Sequence, residues 1–264
     1  MSRFLALCRK ELASLFGTPT AYLALTMVAL VTALVFFDHL QLYNQILFVY
    51  ATSTMGGFDS DAIPDHVNLW NNVFTPVMEN LGITLMAAVP LVTMRAFAEE
   101  RARGTDELLL TTHLSPWQIV TAKFAVTYAF VLLMMAASFV YPAMATLEGG
   151  IGAEHLLAVF VGLSLHALGL ASLGLACSAF SSSQLVAAVA SWAVGFVLWD
   201  FAWAGPFLGE RSGPLLDALS MHPRYSSFAE GIVNLEHLAY FIGLGLVCAA
   251  LARFSFDWRR VSGA

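Results

Sequence analysis

Reactive side chains are scarce in this 264-residue chain, and each one narrows the chemistry open to it. Ser164, in Gly162-Leu163-Ser164, precedes His237 in the order a Ser/His dyad of a rhomboid-like intramembrane protease would need. The fit is poor, because Leu165 stands where a second Gly is expected and His237 falls at the edge of an apolar run. No His-Glu-x-x-His occurs, which removes a zinc protease at motif level, and no other metal site is expected. A phosphate-cradling loop needs Gly directly before its Lys. The two lysines, Lys10 and Lys123, follow Arg9 and Ala122, so the chain cannot hold ATP by that route. No catalytic residue is therefore assigned.

Three ionisable groups fall within or at the ends of apolar runs: Glu79 (beside Asn80), His166 and Asp200. A charge at a bilayer centre costs about 2.5–3.5 kcal/mol on insertion scales, so such groups are expected to reach water, pair or serve a function. Glu79 and Asp200 sit near the outer ends of their runs. For His166, a neutral imidazole bonded to a neighbouring helix is favoured over a proton relay.

The densest polar stretch is Glu99-Glu100-Arg101-Ala102-Arg103-Gly104-Thr105-Asp106-Glu107, followed by Leu108-Leu109-Leu110. Gly104 suits a helix stop, Thr105 an N-cap, and Asp106 and Glu107 the positive end of a short new helix. Ser115-Pro116-Trp117-Gln118 then reads as a capping box opening the next helix. A two-turn helix is marginal alone, and three adjacent leucines beside charges point to a docking partner.

These residues must be positioned by membrane helices. The chain is 59% hydrophobic and 11% charged, with a mean hydropathy of +0.75. Its apolar runs are each long enough to cross about 30 Å of hydrocarbon. Six spans are expected, at about 20–37, 77–97, 118–146, 156–180, 185–204 and 237–255, in one all-α integral membrane domain covering 1–264. Residues 1–17 alternate apolar and charged positions as an interfacial helix would, and Thr18-Pro19 can start the first crossing. That run is too long for a cleaved leader, and no small-x-small site follows it. Pro90 should kink the second span. Ala167 and Ala171, then Ser172 and Ala176, place small residues four apart for close helix contact. The Pro-rich segment 205–236 has room for two short outer helices, re-entrant or on the surface.

Ten of the twelve cations, Arg3, Arg9, Lys10, Arg95, Arg101, Arg103, Lys123, Arg253, Arg259 and Arg260, fall on one side of this arrangement. Both termini and the 99–117 segment are therefore expected in the cytoplasm of a bacterial cell, with the chain in its inner membrane. The net charge of −6 comes partly from outer acids such as Asp38, Asp59, Asp61 and Asp65. A basic groove for nucleic acid is absent. Cys8, Cys177 and Cys248 read as packing residues near the reducing side.

The run from Pro90 to Arg95, Glu99-Glu100-Arg101, Gly104 to Leu109, Lys10-Glu11, Thr18-Pro19-Thr20-Ala21-Tyr22 and Tyr225 to Gly231 together resemble the permease subunit of ABC-2 type exporters, in its gliding-motility GldF-like branch. The resemblance implies that 99–117 holds a coupling helix seated in a groove of a separate ATP-binding subunit. Glu99, Glu100, Arg101, Gly104, Thr105, Glu107 and Leu108 match that element. It departs from the pattern where Leu110 runs into Thr111-Thr112-His113. It also implies that ATP and Mg are bound by the partner ATPase, that a second permease copy or a paralogue completes the path, and that the outer segment dips back to close the exit. A periplasmic or auxiliary membrane subunit fits the same scheme. The other class open to the sequence is an ion-gradient-driven secondary transporter, but the two halves show no internal repeat.

Overall fold

The computed structural model describes residues 3–53, 64, 66–105, 115–148, 152–201 and 213–262, and every regular element among them is helical. The helices are α1 (Arg3–Phe16), α2 (Pro19–Ser53), α3 (Thr75–Thr93, entered through a π-turn at Trp70–Phe74), α4 (Arg95–Ala102), α5 (Pro116–Glu148), α6 (Ala153–Phe180), α7 (Gln184–Trp199), α8 (Gly213–Leu219), α9 (His222–Ala229) and α10 (Leu235–Ser262). Five stretches among the described residues are long and apolar enough to cross a bilayer: Pro19–Thr52, Trp70–Ala102, Pro116–Met144, Ala153–Phe180 and Leu235–Trp258. The expected fifth of six spans, 185–204, is instead the 16-residue α7, which ends at Trp199. At 1.5 Å per residue it covers about 24 Å, short of a full hydrocarbon core.

The first crossing also differs from expectation. Asp38 marks the end of the apolar run, yet α2 continues to Ser53. No Gly or Pro interrupts the chain between Pro19 and Gly56, and a helix leaving the hydrocarbon keeps all its backbone bonds in water.

α6 is the hub, packing against α3, α5, α7, α9 and α10. Ala167, Ala171, Ser172 and Ala176 are all buried on it, which lets neighbouring backbones approach closely. Two glycines set the tightest contacts. A Cβ at Gly174 would collide with the Thr93 side chain of α3, and one at Gly162 with the Phe228 ring of α9. α9 drives Tyr225 and Phe228, both 0% exposed, into the bundle, where the Tyr225 hydroxyl donates to the Met78 carbonyl of α3. Gly231 then stops α9 at a φ of 80°.

At the opposite end a second cluster joins α1, α4, α5, α6 and α10 through Leu7, Phe97, Ile119, Leu175, Ala179, Ala252 and Phe256. The N-terminal helix and the C-terminal part of α10 therefore share one end of the bundle. α1 buries Leu7 there and leaves Leu5 and Leu12 exposed, as a helix lying in the headgroup plane would.

Filling the α6–α9 contact tests whether α9 is seated in the bundle as described. Gly162→Leu should lower stability by about 1–3 kcal/mol through overpacking, whereas Gly243→Leu, at a position with open space around it, should change little. Thermal unfolding in detergent, followed by size-exclusion chromatography, compares the two.

Candidate functional site

The charged junction is built on an interrupted helix. Pro90 has no N–H to give to the α3 ladder, and three residues later α3 ends at Thr93 and α4 begins at Arg95. The first-turn N–H groups of α4 need partners from outside it. Ser178, on α6, provides them: its hydroxyl accepts from Phe97 N and Ala98 N, each at 3.1 Å, and donates to Met94 O at 3.0 Å. α4 then ends on Gly104, whose φ is 66°. Gly104 N bonds to Arg101 O at 3.1 Å and Thr105 N to Glu100 O at 2.9 Å, the paired bonds of a glycine C-cap. The Thr105 hydroxyl also donates to Glu100 O.

On this one short helix, Glu99, Glu100 and Arg101 each turn towards the protein's own bundle. Glu99 takes a two-pronged bond from Arg95, at 2.7 and 2.8 Å, and pairs with Arg103 at 2.6 Å. The Arg95 guanidinium also reaches the Thr20 hydroxyl at the start of α2. Arg101 donates to Ser181 O, just past the C-terminus of α6, at 2.9 Å. Its other arm reaches the Ser255 hydroxyl of α10 at 3.4 Å, and that hydroxyl donates to Ala179 O.

Glu100 enters a network centred on Lys123. The Lys123 ammonium, only 1% exposed, lies 2.9 Å from Glu100 and 2.9 Å from Glu11 of α1 and donates to Ala96 O at 2.6 Å. It also lies over the Phe97 ring. Lys10 closes the set, pairing with Glu100 at 2.5 Å and Glu11 at 3.1 Å. Desolvation works to lower the Lys10 pKa, but the Glu100 and Glu11 carboxylates outweigh it and hold the amine above its ordinary value. A buried ammonium is tolerated when it is paired and fully hydrogen-bonded, and Lys123 meets both conditions.

Glu107 and Leu108 lie outside the described residues, as do Leu109 and Leu110. The chain is next described at Ser115. There Ser115 N bonds to the Gln118 side chain at 3.0 Å and Gln118 N to the Ser115 hydroxyl at 3.3 Å, a reciprocal cap opening α5. Ser178, Ser181 and Ser255 are the members of the junction that the sequence did not point to, and Lys123 was noted there only as a cation. For Lys123 the signal was available: a lysine two turns inside an apolar helix needs a counter-charge.

The intramembrane candidates do not converge. Asp200 is exposed and Glu79 half-buried. His166 is 0% exposed, with Nε2 3.4 Å from Gly82 O and its ring among Trp199, Tyr225 and Phe241. The Ser164 hydroxyl is engaged with Phe160 O of its own helix, while the His237 ring meets Phe228. No hydrogen bond joins Ser164 to His237. Among the described residues, no group of three or more His, Cys, Asp or Glu side chains is placed to hold a metal.

Five helices among the described residues that are long and apolar enough to cross a bilayer define a multi-pass helical membrane protein. Residues 40–252 match the family model described as ABC-2 family transporter protein, and the chain belongs to that family of membrane transport components. The match begins within α2, so α1 and its Lys10-Glu11 pair lie ahead of it. No curated protein matches the chain.

Removing the central cation tests the network. Lys123→Met should destabilise the protein by about 3–5 kcal/mol, because Glu11 and Glu100 lose their shared buried partner. Adding Glu100→Gln to that variant should recover part of the loss, as measured by thermal unfolding in detergent.

Proposed function

We propose that this chain is the permease subunit of an ABC-2 type exporter, driven by ATP hydrolysis in a separate cytoplasmic subunit. The observation that carries this is the junction around α4. Through Lys123, Arg95 and Arg101, α4 is tied by ion pairs and hydrogen bonds to α1, α2, α5, the end of α6 and α10. A push delivered beyond Gly104 would reach all of them together. Glu99, Glu100 and Arg101 anchor the elbow to the bundle, and the contact with the ATPase falls to the segment after Thr105, with Glu107 and Leu108.

In this proposal α7 makes the fifth of six crossings despite its length, with the bilayer thinning locally. Both termini then lie in the cytoplasm with most of the cations, α8 and α9 cap the outer end, and a second permease copy or a paralogue completes the path. The membrane is the bacterial inner membrane, and the gliding-motility GldF-like branch is the subgroup the sequence motifs favour. Among the described residues, buried polar groups such as His166 are dispersed and form no ion path of the kind a gradient-driven transporter needs, and Ser164 and His237 each engage other partners, which gives a protease no support.

The test is co-purification. The tagged chain, expressed with the ABC ATPase encoded beside its gene, should retain that ATPase. Leu108→Asp should abolish retention while leaving membrane insertion unchanged, because an ionised side chain would be forced into an apolar contact. Retention at the unaltered level in Leu108→Asp would show that the contact lies elsewhere.

A further inference from the structure

A cavity of about 500 Å³ opens beside the charged junction, between α1, the start of α2, the α3–α4 break and α5. Its volume is typical of small-ligand sites, and its wall is two-sided. Leu15, Val92 and Val126 form an apolar side, and Ser14 and Thr127 add hydroxyls. The charged side carries Lys10, Arg95, Arg103 and Lys123. Against these four cations stand three carboxylates, Glu11, Glu99 and Glu100, which leave one positive charge in excess.

The carboxylates are already engaged. Glu11 and Glu100 each accept from both lysines, and Glu99 accepts from Arg95 and Arg103. A ligand ammonium would find no free acceptor among them. The most accessible of the four cations are Arg103 and Lys10, which line the cavity and whose side chains are 69% and 55% exposed. The cavity also lies where the amphipathic α1 meets the start of α2, the α3–α4 break and the stretch of α5 from Lys123 to Thr127, and a helix of that kind rests among lipid headgroups. Basic pockets between membrane helices at that depth recognise acidic lipid headgroups.

We propose that this cavity binds one anionic glycerophospholipid, its phosphodiester facing Arg103 and Lys10 and its glycerol and upper chains lying along Leu15, Val92 and Val126. The bound lipid would wedge α1 against α4 and so stiffen the junction. Only the choice of leaflet rests on the proposed function. Headgroup binding is measured on the chain alone, so its failure leaves the ATPase co-purification result standing.

The purified chain in detergent is titrated with dioleoyl-phosphatidylglycerol, with dioleoyl-phosphatidylcholine, or with inorganic phosphate. Native mass spectrometry reads retained lipid, and thermal unfolding reads stabilisation. One phosphatidylglycerol should be retained, with a preference over phosphatidylcholine of about fivefold, as expected for about 1 kcal/mol from one cation near a headgroup. Arg103→Gln should bring that preference close to parity. Ser14→Trp, at an exposed position on the rim, should remove retention by filling the mouth. Equal retention of both lipids by the unaltered chain, or retention unchanged in both variants, would overturn the proposal. So would inorganic phosphate alone matching the thermal shift, which would assign the site to a soluble anion.

Discussion

An ammonium group removed from water inside an apolar helix cannot stand unpaired, and this requirement at Lys123 organises one end of the bundle. Lys123 sits two turns into α5, where its charge must be met by other segments. Glu11 comes from α1, Glu100 from α4, and the Ala96 carbonyl from the first turn of α4. The N-terminal helix is thereby held against the elbow by an electrostatic need as well as by the apolar contact of Leu7. Removing either carboxylate would leave the ammonium short of charge. The arrangement is self-checking, because α1 and α4 can satisfy Lys123 only when both are docked.

The rest of the junction follows the same logic on a smaller scale. A helix break exposes backbone groups, and Ser178 satisfies both sides of the break with one hydroxyl. The C-terminus of α6 leaves carbonyls without partners, and Arg101 reaches Ser181 O there. Both of these interruptions are closed by a side chain from a different helix, so they become cross-links. The α3–α4 corner is therefore a stiff joint, in contrast to the hinge a proline kink would make in isolation.

Much of this fold was legible in local signals. The Gly104 stop and the Ser115–Gln118 cap are decided within four residues, and both stand in the structure as expected. The small residues of α6 announced close packing because their spacing matches the helical repeat. The charged cluster at Glu99–Arg101 was visible as a cluster, but its partners were not. Arg101 bonds across 80 residues to Ser181, and Lys123 across 112 to Glu11, and no periodicity encodes such pairings. Hydropathy also misplaced the end of α2, since Asp38 reports where hydrocarbon stops and backbone hydrogen bonding does not stop with it. The length of α7 was overestimated for the opposite reason: Phe201 to Ala204 carry the apolar run on past Asp200, but the helix ends at Trp199.

α2 is rooted beside the ionic junction, where the Thr20 hydroxyl takes a bond from Arg95, and it runs unbroken for 35 residues to Ser53. A straight helix of that length is about 52 Å from end to end, so each degree of tilt about its foot displaces its far tip by roughly 0.9 Å. A rod of this kind needs no chain of intermediate contacts to carry a movement across the bilayer. Sub-ångström adjustments among charges at its foot would become ångström-scale travel at its far tip.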